Sequence, residues 1–225
     1  MVMNYLELID MRHTVREYKN LSIRVEHQKQ LNDYLQQINQ ESGMNFQLVI
    51  DAPQVFEDYI KPKGRFENAQ NFIALVSKEM PNKNELIGYY GQKVVLYAQH
   101  LGLNTCWIAS TYTDDPETYT LEANEALALI ISIGYGQHPG KPHKSKPIET
   151  TYEASDDIPE WFLLGVQTAL KAPTARNQQS YKFILRKDGV EARSLGGRRA
   201  DIDLGIVKFH FELGAQQPVK WLLNE

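Results

Sequence analysis

Between Ala172 and Phe183 the chain reads A-P-T-A-R-N-Q-Q-S-Y-K-F, and within Thr174 to Gln179 it sets a hydroxyl, a guanidinium and three carboxamides in six residues. Donors and acceptors of these kinds suit a sugar, a phosphate or a polyol. A second chemistry-bearing group stands near the start, Arg12-His13-Thr14-Val15-Arg16. Two guanidiniums four residues apart, with an imidazole and a hydroxyl between them, can converge on one anion if the chain bends or extends around it. A solvated basic turn after a helix is the alternative. A third group, Lys141, Lys144 and Lys146, leads into Pro147. A lysine run of this kind could also be a nucleic-acid patch, but the formal net charge of -4 argues against that function.

The elements that must position these groups follow from periodicity and from helix stops. Pro173 disfavours helical geometry before it, so the amphipathic run Trp161 to Lys171 should stop near Ala172, and Tyr181 to Arg186 then alternates as a strand does. Leu6 to Asp10 reads as a short amphipathic helix ahead of Arg12. The segment Glu85 to His100 carries Ile87, Val94, Val95 and Ala98 as an apolar stripe at helical spacing, with Gly102 as its end signal. Further strands are predicted over Phe46 to Asp51, Phe72 to Ser77, Thr105 to Ala109 and Ala128 to Tyr135, and further helices over Ser22 to Ile38, Asp157 to Leu170 and Asp201 to Ala215. The expected fold class is α+β, with a central, mostly antiparallel sheet holding all five strands and helices packed on it.

The loop with Pro173 and the Asn177-x-Gln179 pair resembles the A-P-S-x-x-N-x-Q-P-W signature of the FMN-dependent nitroreductase family, with Ser180 where the family usually has proline. Arg12-His13-Thr14-Val15-Arg16-Glu17-Tyr18 is similar to the family's opening R-R/H-S-V-R-x-F. Leu101-Gly102-Leu103 through Trp107-Ile108-Ala109-Ser110 resembles its L-G-L-x-x-x-W-I-x-G extension, and Gly134-Tyr135 followed by Lys144, Lys146 and Pro147 resembles its L-G-Y-P…K-x-R-x-P-L segment. The resemblance covers nearly the whole chain. It implies FMN contacts from Arg12, His13, Thr14, Arg16, Lys144 and Lys146. The backbone of Ile108, Ala109 and Ser110 would face the flavin ring near N5, and Pro173, Thr174, Ala175, Asn177 and Gln179 would form the other wall. No side chain is assigned as a catalytic acid, because the chemistry would lie at FMN N5.

The order helix, loop, strand occurs twice, over Ser22 to Asp51 and over Asp157 to Arg186. Together with the resemblance, this implies the fused, pseudo-dimeric TM nitroreductase-like branch: a first half over 1–136, a linker over 137–157 marked by Pro139-Gly140-Lys141-Pro142, and a second half over 158–225, forming one intertwined unit of two pseudo-repeats. One composite flavin site per chain is expected, the first half retaining the Arg12/Arg16, Ile108 and Lys144/Lys146 groups and the second the Asn177/Gln179 loop. The implied activity is hydride transfer from NADH or NADPH through FMN to a small nitro, quinone or similar acceptor. A flavin-binding or flavin-free protein of the same fold without turnover is the alternative.

With 225 residues, 42% hydrophobic and 23% charged, the chain can bury a sizeable core. One cysteine, Cys106, excludes an intrachain disulfide framework and reads as a buried apolar residue in a cytoplasmic protein. No apolar run reaches a membrane-spanning length, so no membrane partner is expected. Six histidines without HExxH spacing give no metal site. Either a monomer, as an internal pseudo-dimer, or a homodimer is compatible with this reading.

Overall fold

The computed structural model describes residues 4–62, 64–155 and 157–223. The fold is α+β. In chain order the elements are α1 (Tyr5–Met11), α2 (Val25–Ser42), β1 (Asn45–Val49), β2 (Phe72–Lys78), α3 (Lys83–His100), β3 (Asn104–Ile108), β4 (Glu125–Gly134), β5 (Tyr152–Glu153), α4 (Glu160–Ala169), β6 (Tyr181–Arg186), β7 (Gly189–Ser194), α5 (Ala200–Ala215) and β8 (Trp221–Leu222). Contacts divide the chain into two compact units, each discontinuous in sequence. One comprises Met11–Lys83 and Val94–Lys141, the other Met1–Asp10, Asn84–Lys93 and Pro142–Glu225. Unit boundaries thus fall after Asp10, Lys83, Lys93 and Lys141.

The Met11–Lys83 unit is built on a sheet in the order β1-β2-β4-β3, antiparallel throughout. Phe72 to Ser77 of β2 are all buried, which explains an apolar run too continuous for simple alternation. Leu31, Leu35 and Ile38 of α2 are buried at helical spacing. The helix starts at Val25, later than Ser22, and continues to Ser42, past the expected Ile38. Its end is set by Gly43, whose φ of 70° is left-handed and whose N–H returns to Asn39 O at 2.9 Å. The Asn39 carboxamide then joins helix to strand, accepting from Phe46 N at 2.8 Å and donating to Phe46 O at 3.0 Å.

The Pro142–Glu225 unit has a second four-stranded sheet, β5-β6-β7-β8. The single five-stranded sheet expected from the sequence is therefore corrected: Tyr181–Arg186 belongs to this second sheet. Both edges of β6 are taken, by β5 in parallel (Tyr152↔Phe183) and by β7 antiparallel (Tyr181↔Ser194), so neither remains for the first sheet. The partners escaped the sequence reading because β5 spans two residues and β7, GVEARS, is polar. Phe162, Phe183 and Phe211 are fully buried, and the Phe211 ring contacts both of the others, Phe162 at 5.5 Å and Phe183 at 4.6 Å between centroids. The α5 backbone crosses the start of α3 closely: a Cβ on Gly205 would stand 1.8 Å from Glu85 O, and one on Gly88 2.0 Å from Ile202 O. Only glycine permits that approach.

Candidate functional site

Residues after α1 run extended and are stitched into the Met11–Lys83 unit. Thr14 makes a parallel bridge to Thr105, and Val15 N–H donates to Thr105 O at 3.1 Å. Glu67 N–H donates to Arg16 O at 3.0 Å, Tyr18 N–H to Glu67 O at 2.9 Å and Lys19 N–H to Tyr135 O at 2.8 Å. The opening motif is thereby fixed beside β3, the strand that continues into Ile108-Ala109-Ser110. Ile108 is buried and forms the last register pair with Ile130, while Ala109 and Ser110 lie beyond the ladder. His13, Thr14 and Arg16 are half-buried.

Arg12 behaves differently. Its side chain is buried at 4% exposure, and desolvation lowers its pKa to about 10, with Cys106 opposing, so the guanidinium is still charged at neutral pH. Cys106 is itself buried. Burial pushes its thiol up, opposed by the charges of Arg16 and Arg12 and by a hydrogen bond with Arg16. Beneath these residues lies Tyr18, which the motif reading left without a role. Its hydroxyl donates to Val15 O at 2.9 Å and lies 2.7 Å from Ser132 Oγ, and burial, reinforced by Cys106, raises its pKa. A phenol kept neutral in this way ties the opening motif to Ser132 of β4.

In the other unit, the loop between α4 and β6 holds the lysine segment. Asn177 Nδ2 donates to Lys144 O at 2.8 Å, and Gln179 Nε2 to Lys144 O at 3.0 Å. Lys146 N–H donates to Gln179 Oε1 at 2.9 Å and Lys146 Nζ to Gln179 O at 3.0 Å, while Gln179 Nε2 also donates to Asn177 Oδ1 at 2.8 Å. Lys144 and Lys146 thus pack with Asn177 and Gln179. The two carboxamides expected to face a ligand are used to brace the chain. Thr174 Oγ1 accepts from Gln179 N at 3.0 Å, and Pro173 and Ala175 are half-buried. Lys144 and Arg176 are exposed.

The loop has an anchor that the sequence reading missed. Asp203 of α5 is buried, accepts from Ala175 N at 2.9 Å and from Gln178 Nε2 at 2.8 Å, and has its carboxyl pushed up to about 6 by burial, the two hydrogen bonds pulling back. An acid set between Ile202 and Leu204 on an otherwise apolar helix face was its signal. Among the described residues no three His, Cys, Asp or Glu side chains converge as a metal site.

A family model described as "Putative TM nitroreductase" matches residues 4–215. The chain belongs to this nitroreductase family. A putative nitroreductase from Thermotoga maritima MSB8 has a similar structure, with 19% identity, a TM-score of 0.67, and coverage of 94% of this chain and 83% of that one. A putative NADH dehydrogenase/NAD(P)H nitroreductase from Bacteroides thetaiotaomicron VPI-5482 shares 18% identity over 67% of this chain and 96% of its own, at a TM-score of 0.52. At such identities these likenesses concern the fold. No curated protein matches the sequence. In this family member no helix among the described residues is long and apolar enough to cross a membrane. As an oxidoreductase of nitroreductase type, it carries the opening motif and the lysine-loop assembly as the two groups to which a cofactor role can be put.

Proposed function

We propose that the chain binds FMN and uses it to pass hydride from NADH or NADPH to a small nitro, quinone or similar organic acceptor. The observation carrying this reading is the pairing of Thr14 with Thr105. It puts the half-buried His13, Thr14 and Arg16, with the buried Val15 between them, alongside the strand whose continuation, Ala109-Ser110, has peptide groups outside the sheet ladder. The donor set fits the group. Arg16 offers a guanidinium to a phosphate or to the polar edge of a flavin, and the peptide N–H groups of Ala109 and Ser110 suit a ring nitrogen. Lys144 and Lys146 add cations on a braced segment, and Thr174 a hydroxyl. Arg12 fits a supporting role, its buried charge lying behind the motif. When bound, FMN supplies reversible hydride acceptance at N5, and the protein supplies orientation and electrostatics.

The order α2, loop, β1 and α4, loop, β6 supports reading the chain as a fused repeat. A single buried free cysteine goes with a reducing, cytoplasmic location. A flavin-free protein of the same fold is the second reading, favoured by the internal use of the Asn177 and Gln179 carboxamides.

The test is the visible spectrum of the purified protein, with release and identification of any flavin and its ratio to chain. Flavin near one per chain, bleached anaerobically by NADH or NADPH and recoloured by a quinone, is the expected result. A colourless protein that takes up no added FMN selects the second reading.

A further inference from the structure

The loop between α4 and β6 has an uncommon backbone. Arg176 (φ 52°), Asn177 (φ 54°) and Gln179 (φ 44°) all lie in the left-handed region that residues with side chains avoid. Such a run persists only where its surroundings over-determine it. On one side the surroundings are the Lys144–Lys146 backbone, held by Asn177 and Gln179. On the other they are the Asp203 carboxylate and the Arg198 carbonyl, which accepts from Gln178 Nε2 at 3.0 Å. Asp203 takes the Ala175 N–H on both oxygens, at 2.9 and 3.1 Å, and Gln178 Nε2 at 2.8 Å, bracketing the first left-handed pair from before and after.

Asp203 is 5% exposed, and aspartate is rarely so deep unless paired. Its partners here are an amide N–H and a carboxamide of the loop, so its acceptor capacity is directed to loop geometry. We infer that Asp203 is a positioning residue: by fixing Ala175 and Gln178 it sets the left-handed turn at Arg176-Asn177, and through Gln179 it places the Lys144–Lys146 segment and its cations. Asp203 itself touches neither lysine. The further step, that this placement serves an anionic group such as the flavin phosphate, rests on the function proposed above.

The experiment compares amide hydrogen exchange by NMR in the flavin-free full chain for the wild type, Asp203→Ala and Asp203→Asn. The diagnostic amide is Lys146, which donates to Gln179 Oε1 and lies on neither α5 nor the Asp203 contact. In Asp203→Ala, exchange at Ala175 and Lys146 is expected to accelerate at least tenfold while the α5 amide of Val207 keeps its protection. Asp203→Asn, which retains an acceptor for Ala175 N–H, is expected to restore most of it. Wild-type protection of Lys146 in Asp203→Ala overturns the inference, as does equal acceleration at Val207, which would mark a role in helix stability alone. Should Asp203→Ala not fold, Gln178→Ala removes one arm of the same contact and is expected to accelerate Lys146 exchange about threefold; no change there overturns it equally. FMN titration separates the two claims. A wild-type protein that binds no FMN sinks the flavin reading and leaves the exchange result standing, whereas unaltered FMN affinity in an Asp203→Ala protein with a loosened Lys146 amide overturns the link to the phosphate.

Discussion

Gln179 and Lys146 hold each other at two points: the Gln179 side-chain oxygen accepts the Lys146 N–H at 2.9 Å, and the Lys146 ammonium donates to the Gln179 carbonyl at 3.0 Å. Gln179 is 2% exposed while Lys146 is exposed, so the lock joins a buried loop residue to a surface segment far from it in sequence. A residue whose type suggests ligand binding here serves to hold the chain that carries the cations.

Gln179→Leu keeps the bulk and removes the lock. It leaves the Lys146 N–H without its acceptor and takes one of two donors from Lys144 O, at a cost of about 1–3 kcal/mol. Urea unfolding should show a lower midpoint with little change in slope, together with weaker FMN binding.

Arg16→Ala removes the half-buried guanidinium of the opening motif. A lost hydrogen bond to a charged group is worth about 1.5–3 kcal/mol, so FMN affinity should fall roughly ten- to a hundredfold. The check is flavin content per chain after purification and a fluorescence titration. Full occupancy with unchanged affinity would remove Arg16 from the site.

Gly205→Ala should damage the fold without touching either candidate group. The new methyl would meet the Glu85 carbonyl at 1.8 Å, and backbone on both sides cannot yield cheaply. Overpacking of about 1–3 kcal/mol or more corresponds to a thermal midpoint lower by about 2–4 °C per kcal/mol for a chain of this size. Calorimetry on the purified variant measures it.

Asp203 makes stability depend on pH in a specified direction. Its carboxyl titrates near 6 in the folded protein against 3.8 as the ordinary value. The folded state therefore holds the proton more tightly, and the contribution is fully present below about pH 3.8 and lost as pH rises through about 6. Relative to Asp203→Asn, the wild type should lose roughly 3 kcal/mol across that window and run flat above it. Glu17, Glu153 and Glu191, lowered chiefly by hydrogen bonds to Lys61, Lys182 and Arg186 respectively, work in the opposite sense in both proteins and cancel in the difference. A flat difference curve between pH 4 and 6.5 would contradict the assignment.

Much of the fold was legible because local patterns and burial agreed. Tyr181–Arg186 was read to the residue, and the stripe Ile87, Val94, Val95 and Ala98 is buried on α3 as its spacing required. The end of α2 ran past Ile38 because the stop is Gly43, whose left-handed φ closes the last turn onto Asn39 O. The second sheet was hidden because pairing partners are a non-local choice, and β7, with a buried Glu191 held by Arg186 and Arg193, presents no apolar alternation.

By itself the sequence determined the family, through four motifs that resemble those of nitroreductases, and it determined the helices and longer strands, whose periodicity is local. Only the tertiary structure decided what those residues do. Arg12 and Arg16 share a motif, yet one is buried and the other half-buried, because the chain after α1 is clamped between Thr105, Glu67 and Tyr135. Asn177 and Gln179 became braces, and Asp203 an anchor, because hydrogen-bond partners are chosen by distance in space, which spacing along the chain does not encode.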